Sequence, residues 1–470
     1  MGKSGLGLQK PHISGSLGSM IRWFLVLVVL GGSCLPAKSA DRPNVLFILA
    51  DDLGWMDLGC YGSTFYESPG IDLLARQGMR FTRAYTAGSV CSPTRASIMT
   101  GRYPVRTGIT DYIPGFKAPG ARLKTRPTRQ ELALEEVTIG EGMREGGYQT
   151  YYAGKWHLGS AGFQPHDQGF EVVVDDDSLG NAAKDPLVGD RLTDEALKFL
   201  EQRDSTRPFF MVLAYHEPHL PILAHPRHIA HFREKAASLS SSEPAVRPER
   251  KGLTRLQQDV PGYGCEVAVL NEAVVRLTEK LESLGLAGDT VVVFTSDNGG
   301  LSTKDKPGPT SNLPLRAGKG WLYEGGIRVP LIIRAPGLTK PGTVSDVPVM
   351  STDYFPTFLE MAGLPLHPEW HQDGRSLVPL LRGGVLASRD LFWHYPHYHG
   401  STWAPGSAVR RDRWKLVEFF EEGVAELYDV EADPGERRNV IQEEPGKAAE
   451  LRGALEKWRQ ETGAFIPTRS

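Results

Sequence analysis

The chain has 470 residues, with 53 Lys and Arg against 56 Asp and Glu, and its net charge of −3 removes the electrostatic case for a nucleic-acid partner. Hydrophobic residues at 40% and charged residues at 23% are ordinary globular usage and exclude a disordered or fibrous chain, while 52 Gly and 34 Pro predict many turns.

Residues 1–40 contain Lys3, Lys10, Arg22 and Lys38 and no acid, and the apolar run from Trp23 to Leu30 is far shorter than the ~20 residues that span a bilayer. They read as a secretory signal peptide starting at Met1 or Met20 and cleaved after Ser39 or Ala40, leaving no stable membrane span. An uncleaved signal or a lipidated Cys34 is the alternative. Cys60, Cys91 and Cys265 then remain in the exported body, an odd number that argues against a disulfide framework and for a free or chemically converted thiol. Cys60 and Cys265 read as structural thiols. The chain has no Asn-x-Ser/Thr sequon, which favours a bacterial periplasmic or secreted protein.

Along the chain, Asn44 to Ala50 is a continuous apolar run that suits a strand buried on both faces, and it ends abruptly in Asp51-Asp52. Pro208 to Tyr215 and Val329 to Ile333 are further strand candidates. Thr290 to Ser296 repeats the first pattern and ends in Asp297-Asn298-Gly-Gly, behind a helical spacing of Val269, Leu270, Val274, Leu277 and Leu281 over Glu266 to Leu284. Helix followed by buried strand is α/β alternation. The predicted fold is a large, mostly parallel central sheet flanked by helices over residues 41–380, then a small antiparallel sheet with a terminal helix over 381–470. Residues 234–262 lack periodicity and read as an inserted surface loop. In the C-terminal part, Ala408 to Phe420 reads as strand, turn, strand, and Pro445 to Thr462 as a closing helix.

Asp51, Asp52, Asp297 and Asn298 are hard oxygen donors at the carboxyl ends of two predicted strands, where open α/β sheets bind ligands, and such a set suits Ca²⁺ or Mg²⁺ rather than zinc. The acidic run Asp175 to Asp177 reads as a solvated loop. Ser89 to Gly101 is the most informative stretch. Pro93 is a favoured early helical residue, so Cys91 falls at a helix N-terminus, and Arg95 lies one turn on; a nucleophile, a helix N-terminus and an arginine suit a tetrahedral anion. Lys155 and His157, two apart, project from one face of an extended segment.

Cys-Ser-Pro-Thr-Arg at 91–95 resembles the Cys-x-Pro-x-Arg signature of the type I sulfatases of the alkaline phosphatase superfamily. Asp51-Asp52-Leu-Gly, Gly154-Lys-Trp-His-Leu-Gly159, Pro218-His-Leu-Pro221, Thr295-Ser-Asp-Asn-Gly299, Gly318 to Pro330 and Glu426-Leu-Tyr-Asp429 resemble further blocks of that family, in family order. The resemblance implies that a formylglycine-generating enzyme oxidises Cys91 to formylglycine (3-oxoalanine), whose hydrate attacks sulfur. It also implies that Asp51, Asp52, Asp297 and Asn298 hold Ca²⁺, or sometimes Mg²⁺, and that Arg95 stabilises the hydrate. By the same resemblance Lys155 and Lys319 neutralise the sulfate, His157 works beside Lys155, and His219 approaches the leaving oxygen with Lys319 as a candidate acid. His216 is the less favoured histidine of the pair.

Substrate is the open part of the sequence. Trp393 to Gly400, with Trp403, combines aromatics and histidines suited to a sulfated carbohydrate, and His394 and His397 are the expected substrate contacts. A phosphonate or phosphate ester hydrolase of the same superfamily is the alternative enzyme. A non-catalytic glycan-binding relative is the alternative if Cys91 stays unmodified.

Overall fold

The computed structural model describes residues 42–240 and 244–469, so the expected leader with Cys34 lies outside the described residues. Among these, no helix is long and apolar enough to cross a membrane.

A nine-stranded sheet forms the centre, in the order 343–345, 79–85, 328–334, 290–296, 44–50, 209–214, 149–154, 172–174, with 349–350 also pairing to 79–85. Only the strand Arg328–Arg334 runs antiparallel to its neighbours, so the sheet is mixed but mostly parallel. After Asn44 the strand Asn44–Ala50 is apolar throughout because both its faces are covered. Val45, Phe47 and Leu49 enter one core with the helices Cys91–Thr100 and Tyr354–Met361, while Leu46, Ile48 and Ala50 enter the other with the helices Val188–Gln202 and Pro261–Ser283.

Register sets up the site. Ala50 pairs with Ser296, so the next residue on each strand, Asp51 and Asp297, emerge side by side at the same sheet edge. Ala214 pairs with both Leu49 and Gly154, bringing Lys155 to that edge as well.

Residues 391–395, 406–411, 414–419 and 424–429 form an antiparallel four-stranded sheet in chain order, closed by the helix Pro445–Thr462. This sheet shares one apolar core with Trp321, Leu322, Tyr323 and Ile327. At their junction Lys415, fully buried, is 3.0 Å from Glu324 Oε1 and 2.9 Å from Glu436 Oε1.

Two sequence expectations change. Residues 234–262 are not a plain loop: the helix Ile229–Ala237 runs into them, and strands Val246–Glu249 and Gly252–Arg255 make a hairpin extended by Thr303–Lys304. Its half-exposed strands mix charged and apolar residues, which erases the periodicity that would have marked it. The acidic run opens a one-turn helix, Asp176–Leu179, after the strand Val172–Val174.

Candidate active site

All ten residues of the helix Cys91–Thr100 are buried, and Cys91 is its first residue. Its thiol is therefore fixed at the positive end of the helix dipole. Lys319 Nζ lies 3.4 Å from Cys91 Sγ. Burial alone would raise the thiol pKa, but Lys155 and Lys319 outweigh it and hold Cys91 well below the ordinary thiol range. The site is built to stabilise negative charge at position 91.

The acidic groups interlock with these cations. Arg95 Nε donates to Asp297 Oδ2 at 2.9 Å and Arg95 Nη1 to the Lys155 carbonyl at 2.6 Å. Lys155 Nζ pairs with Asp51 Oδ2, and Lys319 Nζ with Asp52 Oδ2 at 2.8 Å. Asn298 Nδ2 donates to Asp52 Oδ1 at 2.8 Å, and the Asp52 amide donates to Asp297 Oδ1 at 3.2 Å. Burial and the adjacent Asp51 push Asp297 up to about 8. Asp51 itself, despite complete burial, is held well below the carboxylate range by Lys155, His219 and Arg95.

Four oxygen-bearing side chains thus converge, and two of their oxygens, Asp51 Oδ1 and Asn298 Oδ1, are buried without a hydrogen-bond partner. Asp51, Asp52, Cys91 and His219 also present ligand atoms within 4.8 Å of one another. Buried orphaned oxygens on a hard-donor set fit a divalent cation such as Ca²⁺.

Lys155 and His157 do not project from an extended segment, because the strand ends at Gly154. That residue adopts φ 92°, where a Cβ would lie 2.1 Å from the Ala214 carbonyl. His157 itself is left-handed at φ 59°. The turn still delivers both to Cys91. His157 Nε2 donates to the Ile113 carbonyl at 2.7 Å, leaving the buried Nδ1 without a hydrogen-bond partner, and the imidazole lies close enough to Cys91 to help lower its pKa. His219 Nε2 stands 3.8 Å from Asp52 Oδ2 while Nδ1 donates to the Leu220 carbonyl at 2.6 Å. Beside it a cavity of about 400 Å³ is lined by Asn181, His216 and Leu220.

Residues 43–364 match the sulfatase family, and residues 317–461 match the N-sulphoglucosamine sulphohydrolase C-terminal family. The chain belongs to the sulfatase family. As a sulfatase it is a sulfuric ester hydrolase, similar to human arylsulfatase A, with 32% identity over 89% of this chain and 87% of that protein. It is similar also to a sulfatase of Formosa agariphila, at 30% identity over 92% of each. Among solved structures, that of Ps i-CgsB in complex with k-i-k-neocarrahexaose superposes with a TM-score of 0.74, at 26% identity over 90% of this chain and 95% of that one.

The C-terminal histidines sort differently from the sequence expectation. His394 is buried, with Nδ1 bonded to Ser407 Oγ at 2.6 Å and Nε2 to the Phe465 carbonyl at 2.8 Å. His397 is buried, with Nε2 bonded to Thr110 Oγ1 at 2.8 Å. Both therefore spend ring nitrogens on packing contacts. His399 lies nearer the catalytic cations: burial first, and then Lys319, lower its pKa. Tyr112 also lies near Lys319; it and His399 follow the last regular element of their segment and carry no periodic signal.

Proposed function

We propose that this chain is an exported sulfatase acting on sulfate esters of a carbohydrate, with Cys91 converted to formylglycine by a maturation enzyme. In this reading Asp51, Asp52, Asp297 and Asn298 hold a divalent cation, Ca²⁺ in preference to Mg²⁺. The observation that carries the reading is Cys91 at a buried helix N-terminus, 3.4 Å from Lys319 and beside the carboxylate and amide quartet. When present, the formylglycine hydrate supplies a hydroxyl nucleophile for sulfur, and the cation polarises a sulfate oxygen.

The chain's own residues do the rest. Lys155 and Lys319 neutralise the sulfate, and their burial makes each charge count for more than in water. Arg95 fixes Asp297 and the Lys155 carbonyl, and so the geometry around position 91. His157, with Nε2 pinned by Ile113, turns Nδ1 towards position 91 and accepts a proton there. His219, whose pKa Asp52 and Asp51 raise against its desolvation and the neighbouring Lys319, is the donor we assign to the departing alcohol. The likeness to Ps i-CgsB bound to an oligosaccharide, and the match to the N-sulphoglucosamine sulphohydrolase C-terminal family, support a carbohydrate substrate. The acid-free, basic-flanked apolar segment within residues 1–40 supports export to the periplasm or beyond.

The test is mass spectrometry of the tryptic peptide Ala84 to Arg95 from protein made with a formylglycine-generating enzyme, alongside turnover of aryl sulfate, aryl phosphate and aryl phosphonate. Aldehyde at position 91 and preferred sulfate turnover, both lost in Cys91→Ala, are expected. A fully retained thiol in a competent host refutes this chemistry, and preferred phosphonate turnover moves the activity to another ester class.

A further inference from the structure

Two segments outside the catalytic set meet above Lys319. One is the loop Thr110 to Phe116, tied to the catalytic helix by the Ile113 amide donating to Ser92 Oγ at 3.1 Å and to the C-terminal sheet by Tyr395 OH donating to Asp111 Oδ1 at 2.6 Å. Asp111 also accepts from the Tyr112 and Phe116 amides, at 2.9 and 3.1 Å, which shapes the loop around one carboxyl group. The other is the turn His399 to Trp403, closed by the His399 amide donating to the Trp403 carbonyl at 3.2 Å.

The His399 ring lies against the backbone just after Lys319. A Cβ on Gly320 would fall 2.2 Å from His399 Nδ1, and Gly320 has φ 82°, so only glycine leaves this place for the imidazole. Tyr112 meets the ring edge-on at 5.8 Å and Phe116 lies at 6.3 Å. Phe116 is 38% exposed, an open apolar ring at the rim of a charged site.

The tautomer of His399 follows from its partners. The Ser401 amide donates to Nδ1 at 3.1 Å, and an amide can only donate, so Nδ1 is the acceptor and the neutral ring carries its proton on Nε2. Burial and the neighbouring Lys319 push its pKa down to about 3, so it adds no positive charge to those of Lys155 and Lys319. An uncharged N–H donor beside two aromatic rings suits a hydroxyl on an apolar-faced ring, not a second sulfate.

We propose that Tyr112, Phe116 and His399 form the recognition rim for the sugar carrying the scissile sulfate, the aromatic rings taking its apolar face and His399 Nε2–H donating to a ring hydroxyl. This rests on the reading of the chain as a carbohydrate sulfatase.

The test compares kcat/KM for nitrophenyl sulfate with kcat/KM for sulfated galactose, N-acetylglucosamine and fucose, in wild type, His399→Ala and His399→Gln. His399→Ala is expected to lower the ratio of sugar to aryl activity by about tenfold or more, the scale of one lost hydrogen bond that leaves its partner unpaired. His399→Gln, which keeps an N–H donor, is expected to recover part of that ratio. A ratio that does not move, whether both activities fall together or neither falls, overturns the proposal. So does wild type that hydrolyses the aryl ester and none of the sugars. Wild type inactive on every sulfate ester would instead refute the sulfatase reading, and this inference with it.

Discussion

Lys319 Nζ lies 3.4 Å from Cys91 Sγ while the same ammonium donates to Asp52 Oδ2 at 2.8 Å, so one cation is shared between the acidic quartet and the residue at the helix N-terminus. Burial disfavours the charged lysine, but Asp52 and Cys91 outweigh it and raise its pKa, which favours the ammonium form. Lys319→Met should lower kcat/KM by about 10²-fold or more, the scale for deleting one preorganised donor. It should also lower Tm, because Asp52 is left buried beside an apolar chain. A variant with activity within threefold of wild type would remove Lys319 from the chemistry.

His157 is oriented by a carbonyl. Because Ile113 O can only accept, Nε2 carries the proton of the neutral ring and Nδ1 keeps a lone pair with no hydrogen-bond partner. His157→Ala should reduce kcat by about 10²- to 10⁴-fold, the usual range for a positioned general base, with a much smaller change in KM. The steady-state parameters on nitrophenyl sulfate decide it. A change confined to KM would assign His157 to binding instead.

Cation occupancy should register in stability as well as in turnover. Calcium chloride at about 100 times its Kd should stabilise the folded protein by about 2.7 kcal/mol, read as a concentration-dependent rise in Tm, with a smaller rise for magnesium. Asp297→Ala should abolish the calcium-dependent rise while keeping the wild-type far-ultraviolet circular dichroism. A calcium response that survives this substitution would place the ion elsewhere.

The buried junction with the C-terminal sheet predicts a pH window. Burial and the adjacent Glu324 push Glu436 up to about 7 from the ordinary 4.5, so its contribution to stability is complete below about 4.5 and is lost as pH rises through about 7. Burial would raise Glu324 too, but Lys415, Arg328 and Arg410 outweigh it and hold it at about 2, so its contribution is complete above about 4.5 and lost as pH falls towards 2. Melting curves from about pH 4 to 9 should show wild-type Tm declining between about pH 4.5 and 7 and levelling off above neutrality, and Glu436→Gln should flatten that decline. Parallel curves for the two proteins would exclude Glu436 as the titrating group.

Much of this arrangement was legible because its signals are local. A strand buried on both faces must be apolar throughout, so its abrupt end at Asp51 marked the sheet edge, and Pro93 marked the helix start beside Cys91. Register was not legible: that Ala50 pairs with Ser296, and hence that Asp51 meets Asp297, is a long-range fact. The different surroundings of His394, His397 and His399 were not legible for a related reason. The first ends its reach on Ser407 and Phe465 and the second on Thr110, partners set by tertiary packing, whereas the third gains its place from Gly320. The hairpin at Val246–Arg255 was hidden because its third strand comes from Thr303–Lys304, about fifty residues away.

The burial of Cys91, only 2% exposed within a helix that is buried along its whole length, sets an order of events. A modifying enzyme cannot grip Ser89 to Arg95 once that helix has closed against Asp297 and Lys155. Under the proposed chemistry, conversion has to come while the segment is still extended, and a chain that folds first is locked as an inert thiol. The fraction of active molecules in a preparation therefore measures a race between the maturation enzyme and folding, and slowing folding should raise specific activity without changing the sequence.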